Sequence, residues 1–304
     1  MQQRDRRAMS WGLAAGLTLV LMGTAACGGA EEPAEPPAAA MAPAEVIEPE
    51  AGTIARAPTA DNALPPAILG TAPPPRGIDL PYMPDDAETR GYLAVPEGPG
   101  PHPAVLLVHE WDGLTDRIRQ TADAFAAEGY VALAADLYRG RTGSNRDENM
   151  ALVQETRGEM DRVVANLDMA ARTLRERADT TGKVAVMGWC FGGGIALSYG
   201  IDGEAHEATA MFYGQLVEDP EQLRRISHEL YGTFAANDTG IPPADVEQFA
   251  RALTAAGIDN DIHVYDEVGH GFWLFVDQDR ETREAPALDA WQRLKAYLSR
   301  TIGA

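Results

Sequence analysis

Two cysteines in 304 residues, Cys27 and Cys190, are too few for a disulfide framework. Histidine is scarce as well, with six in the chain. His109-Glu110 opens an H-E-x-x-H pattern, but Gly113 stands where the second histidine belongs, so a zinc-protease reading fails. No other cysteine–histidine spacing suits a metal, and neither metal nor cofactor is expected. Basic residues number 25 against 46 acidic ones, a formal charge of −21. That surface speaks against nucleic acid as a partner and against electrostatic attachment to anionic lipid. Long apolar runs are missing too. The stretch from Trp11 to Met22 falls short of the ~20 residues a membrane span needs, and no internal repeat is present.

The first 27 residues have another use. Arg4, Arg6 and Arg7 outweigh Asp5, the short apolar stretch follows, and Thr24-Ala25-Ala26 precede Cys27. This resembles a bacterial lipoprotein signal, with Thr24 where an aliphatic residue is usual, and it implies lipid on Cys27. An exported protein anchored to the cell envelope, with its main domain outside the cytoplasm, is the expectation. From Gly28 to Pro75 lie eleven of the 21 prolines and seven acidic residues against Arg56 alone. Without hydrophobic periodicity this composition reads as a disordered tether over 28–75. Residues 76–304 are long enough for one domain with a single large core.

Within that domain, the apolar run Lys183 to Met187 leads into Gly188-Trp189-Cys190-Phe191-Gly192-Gly193. A buried strand turning sharply into a helix would lift residue 190 clear of the sheet, with the glycines allowing close backbone packing. The helix N-terminus beneath the thiol favours thiolate. Further along, the strand-like run Leu230 to Ala236 ends at Asn237-Asp238, and Asp261 to Tyr265 is followed by Gly269-His270-Gly271-Phe272. An acid and a histidine on loops after successive strands suit a base and its orienting group. Earlier, Pro103 to His109 reads as a buried strand, closed by His109-Glu110 and followed by Trp111-Asp112-Gly113-Leu114. The remaining elements alternate: strands 77–83, 88–95, 130–135 and 208–213, and helices 115–128, 148–178, 191–200, 243–256 and 286–300. That alternation predicts an α/β fold, a mostly parallel central sheet with helices on both faces and functional loops at strand C-terminal ends.

Taken together, these motifs resemble the dienelactone hydrolase family, in family order from about Gly77 to about Leu298. The resemblance implies an α/β-hydrolase fold and a triad of Cys190, Asp238 and His270. It also implies that Glu110 contacts the resting thiol and helps remove its proton, and that the backbone N–H groups of Trp111 and Phe191 form an oxyanion hole. Relatives that open dienelactones grip the substrate carboxylate with arginines, one of them four residues after the histidine. Leu274 stands there in this chain. Arg139 and Arg141 could supply a cation instead, and Phe272 and Trp273, beside Leu274, could line an aromatic pocket. The expected activity is hydrolysis of an ester or lactone, a small molecule less anionic than a dienelactone, through an acyl-enzyme by a monomeric protein. A lipid-anchored binding module that had lost turnover would be expected to lack triad members, and none is missing. A thiol redox protein would need a resolving cysteine beside Cys190.

Overall fold

The computed structural model describes residues 53–303. The expected signal segment with Cys27, and the tether from Gly28 to residue 52, lie outside the described residues.

Residues 53–75, expected in the tether, are folded. Thr53–Ile54 forms a short strand, β1, parallel to the end of a later strand. Ile54, Leu64 and Ile68 are buried in the main core. The Trp291 indole N–H donates to Thr59 Oγ1 at 2.9 Å, and Arg117 donates to the Ala67 carbonyl at 2.6 Å. Residues 53–75 therefore belong to the domain, contrary to the expected tether. Isolated apolar anchors without periodicity carry no sequence signal, yet each buried side chain contributes ~1.5–3 kcal/mol.

The rest follows the alternating pattern. β2 (Ile78–Pro81), β3 (Arg90–Pro96) and β4 (His102–Val108) precede helix α1 (Asp116–Glu128) and strand β5 (Val131–Ala135). Next come α2 (Arg146–Arg157), α3 (Met160–Glu176), β6 (Thr180–Trp189), α4 (Phe191–Asp202) and β7 (Ala208–Phe212). A short α5 (Pro220–Leu223), β8 (Leu230–Ala235), α6 (Pro243–Ala256), β9 (Asn260–Tyr265) and α7 (Arg280–Ile302) complete the chain. The sheet runs β1-β3-β5-β4-β6-β7-β8-β9, with β2 also on β3. Every pair from β5 through β9 is parallel; β3 is antiparallel to both β2 and β5.

Strand periodicity distributes the core to both faces. Val105 and Leu107 pack with α1 and α7 residues such as Phe125 and Leu294, while Ala104, Leu106 and Val108 face Leu167 and Leu174 of α3. A third cluster joins Leu197 of α4 to Phe249 of α6.

Two helices depart from expectation. The single helix expected over 148–178 is two, α2 and α3, separated at Gly158 and Glu159, whose backbone (φ −130°, ψ 44°) is not helical. Glycine lowers helix propensity there by about 1 kcal/mol, and the break lets α2 leave the line of α3. At the other end, α7 starts six residues before Pro286. Asp279 caps it by accepting from the Thr282 N–H, and Arg280 pairs with Glu284 one turn on at 2.7 Å.

Candidate active site

Register brings the motifs together. Val108 of β4 lies opposite Gly188 of β6, and Trp189 lies opposite Phe212 of β7. Since the strands are parallel, the residues that leave them emerge side by side. Glu110-Trp111 thus flanks Cys190-Phe191 on one side and Tyr213 flanks it on the other. Phe212 faces Thr233 of β8, and Ala235 faces Tyr265 of β9, so the loops carrying Asp238 and His270 open on the same edge.

The turn at Cys190 is strained. Its backbone sits at φ 54°, ψ −117°, a region that costs a residue with a side chain ~1–3 kcal/mol. The Cys190 N–H donates to the Phe212 carbonyl at 3.0 Å, and the Cys190 carbonyl accepts from Gly193 N–H at 3.1 Å. Glycine is obligatory around it: a Cβ on Gly188 would collide with the Gly192 carbonyl, and one on Gly192 with the carbonyls of Val108 and His109. The tight approach explains why the strand can turn straight into α4.

His270 and Asp238 meet as their loops suggested. His270 Nδ1 lies 2.6 Å from Asp238 Oδ2. The other carboxylate oxygen accepts from the Gly240 N–H at 2.8 Å and the Ile241 N–H at 3.2 Å. Asp238 is 3% exposed and His270 is 42% exposed, so the acid is fixed and the imidazole faces the cavity. Burial resists ionisation of Asp238, but the His270 hydrogen bond and charge outweigh it and hold the carboxyl below its usual range. For His270, burial disfavours the charged ring; hydrogen bonds to Asp238 and Cys190 prevail and push it up to about 10.

Glu110 is buried. Desolvation first, and the neighbouring Asp112 second, push it up to about 8, with the His270 charge acting in the opposite sense. Its neighbour His109 is a neutral brace: Nδ1 donates to the Glu110 carbonyl at 2.6 Å, and Nε2 accepts from the Leu137 N–H at 3.3 Å. Burial lowers its pKa and so keeps the ring neutral, and these two hydrogen bonds select the tautomer. The Tyr138 hydroxyl donates to the Trp111 carbonyl at 3.1 Å, fixing the next peptide.

A cavity of about 430 Å3 opens above these groups, with Cys190, His270, Trp111, Phe191 and Tyr213 at its floor and near wall. Met150, Val153 and Arg157 of α2 form one side; Leu216, Glu218, Ile241 and Asp245 form the other. The expected pocket residues are elsewhere. Arg139 pairs with Asp86 at 2.8 Å and Glu88 at 3.0 Å, and Arg141 with Glu155 at 2.6 Å, so carboxylates outside the cavity consume both charges. Phe272, Trp273 and Leu274 are wholly buried. The turn at Gly271 (φ 75°) folds them inward, where Trp273 stacks on Trp189 at 5.5 Å. Sequence reasoning missed Tyr213 and the α2 residues. Tyr213 has φ 38° and its ring meets that of His270 edge-on at 5.0 Å. Its place directly after β7 was the available signal, as Gly158 was for the end of α2 at Arg157.

The dienelactone hydrolase family profile matches residues 89–302. A Synechocystis sp. protein provisionally named carboxymethylenebutenolidase is 32% identical over 225 residues, covering 67% of this chain and 89% of its own. A Methylorubrum extorquens protein with the same provisional name is 31% identical over 226 residues, covering 70% and 77%. A solved structure from Klebsiella pneumoniae subsp. pneumoniae, provisionally described as a dienelactone hydrolase, superposes with a TM-score of 0.66 at 28% identity. It covers 73% of this chain and 98% of its own. The fold is that of an α/β-hydrolase.

Proposed function

This chain belongs to the dienelactone hydrolase family, and on that premise we propose that it hydrolyses esters or lactones with the Cys190 thiol as nucleophile. The observation that carries the reading is the 2.6 Å contact between His270 and Asp238 beside a strained, cavity-facing cysteine. At neutral pH His270 holds its proton, since Asp238 and Cys190 stabilise the imidazolium. With the Cys190 S–H proton passed to His270, Sγ attacks the substrate carbonyl carbon as thiolate, and the carbonyl oxygen takes the electron pair. The N–H groups of Trp111 and Phe191 are the proposed donors to that oxyanion, a term worth ~3–4 kcal/mol per donor. As the tetrahedral adduct collapses, His270 gives its proton to the leaving oxygen and an acyl thioester remains. The neutral imidazole next accepts a proton from water; the hydroxide formed attacks the acyl carbon and Sγ leaves as thiolate. Glu110, titrating near 8, can exchange a proton close to working pH, which suits the part the family resemblance gives it in activating the thiol.

The cavity wall supports uncharged substrates. Apart from His270, which is paired with Asp238, the cavity holds Arg157 against two carboxylates, Glu218 and Asp245, with apolar side chains between them. The expected preference for neutral esters is kept on this ground, in place of the Leu274 argument. Export on a lipidated Cys27 is likewise proposed; Cys27→Ser should move the protein from the membrane to the soluble fraction of a host with lipoprotein processing, and an unchanged distribution would refute it.

The test of activity is turnover of p-nitrophenyl acetate. Cys190→Ala should lower kcat/KM by at least ~10³-fold, and iodoacetamide should label Cys190 as activity disappears. Retained turnover in Cys190→Ala would remove the proposal.

A further inference from the structure

A second cavity, of about 210 Å3, adjoins the first and shares Arg157, Phe191, Gln215 and Leu216 with it. Its far wall is Met160 of α3 with Gly194, Ile195 and Ser198 of α4, closed by Val217. Phe191, Gly194, Ile195 and Ser198 recur at i, i+3, i+4 and i+7, so they form one stripe leading away from Cys190 along α4. At 1.5 Å per residue, Ser198 lies about 12 Å along the helix axis from the nucleophile.

Arg157 stands at the junction. It ends α2, is exposed, and its guanidinium lies over the Phe191 ring at 5.9 Å. Among the described residues it has no carboxylate partner, unlike Arg139 and Arg141. A stacked, unpaired side chain can shift along the ring without breaking an ion pair. Met160, Phe191, Ile195, Leu216 and Val217 give the passage and the distal space apolar side chains, beside the polar Arg157, Ser198 and Gln215.

We infer that the distal cavity is an acyl-chain subsite, which makes the substrates esters of unbranched, medium-length fatty acids. The inference rests on the hydrolase reading, with the acyl group attached to Cys190. An extended chain gains ~1.2 Å per bond, so about ten bonds bridge the 12 Å to Ser198. By that measure chains of about ten carbons occupy the distal cavity. Each pair of methylenes fully withdrawn from water raises kcat/KM roughly tenfold.

The experiment measures kcat/KM for p-nitrophenyl acetate, butyrate, octanoate and decanoate, below their aggregation limits, in the wild type and two variants. Ser198→Phe fills the distal cavity from α4, and Met160→Trp fills it from α3; neither residue lines the catalytic cavity. The wild type should rise at least tenfold from butyrate to octanoate. Either folded variant should keep acetate turnover within about twofold and lose most of that rise. A flat series with intact acetate turnover overturns the subsite alone, as does a rise that survives in a folded variant. No acetate turnover by the folded wild type removes the hydrolase reading, and the subsite with it.

Discussion

His270 and the pair His206–His228 are the same side chain at opposite ends of one sheet, and their proton affinities move in opposite directions. His270 follows β9, at the C-terminal edge of the sheet, whereas His206 and His228 precede β7 and β8 at the N-terminal edge. The pair meets edge-on at 4.8 Å, and His206 also packs on Tyr199 at 4.6 Å. Burial, and then the other histidine's charge, lowers His206 to about 3; burial lowers His228 to about 4. His270 is desolvated too, yet it rises to about 10 because Asp238 and Cys190 are within hydrogen-bond reach. Desolvation sets the default sign, and a directly bonded acid reverses it. The reversal keeps a ring protonated at one edge, while at the other the rings stay neutral, and His228 there meets Thr209 Oγ1 at 2.8 Å.

The sharpest way to break the contrast is Asp238→Asn. It removes the charge that holds the His270 proton and can impose the wrong tautomer, so kcat/KM should fall by ~10³- to 10⁴-fold. The C2-proton NMR shift of His270 should then titrate well below pH 10. An unmoved titration would mean that Asp238 is not the cause.

Stability against pH separates the two edges next. His206 and His228 have folded pKa values below the unfolded 6.5, so the unfolded chain binds protons first as pH falls. Their stabilising contribution is present above pH 6.5 and is lost as pH drops toward about 4 and then about 3. His270 is raised, so its contribution is complete below pH 6.5 and fades as pH rises toward about 10. His206→Phe keeps the ring packing and removes one of these protons. Neither ring nitrogen of His206 has a hydrogen-bond partner among the described residues, so little else is lost. Urea midpoints between pH 6.5 and 4.5 should fall less steeply in the variant, by up to ~1.4 kcal/mol per pH unit. Parallel curves would show that the pair is already protonated in the folded state.

Glu110 extends the comparison to an acid buried without a bonded cation. Its folded pKa of about 8 lies above the ordinary value of 4.5, so the fold loses stability as pH rises through that window. Glu110→Gln should therefore be more stable at pH 8, by ~1–3 kcal/mol, and slower in turnover by roughly tenfold or more. A variant that is less stable at pH 8 would contradict the assigned burial cost.

Much of this was legible before any coordinates. The β6 run and its glycines announced a strand turning into a helix, and Asp238 and His270 fell on loops after two further strands. Parallel strands in register bring such loops to one edge, so proximity of Glu110, Cys190, Asp238 and His270 followed from order and periodicity. The cavity wall did not. Leu274 stands where the family resemblance implies a carboxylate-binding arginine, yet Gly271 turns it into the core. Arg139 and Arg141 looked free in a run of loop residues until Asp86, Glu88 and Glu155 arrived from distant positions to pair with them.

Local sequence thus determined the elements, the strained elbow at Cys190 and the side chains at the sheet edge, because those depend on neighbours within a few residues and on a period of two. Which side chains line the cavity, whether an arginine such as Arg157 is paired and which residues before 76 join the domain were decided by tertiary structure. Those outcomes depend on contacts between segments far apart in the chain, such as Trp291 with Thr59 and Arg157 with Phe191, and no local pattern encodes them.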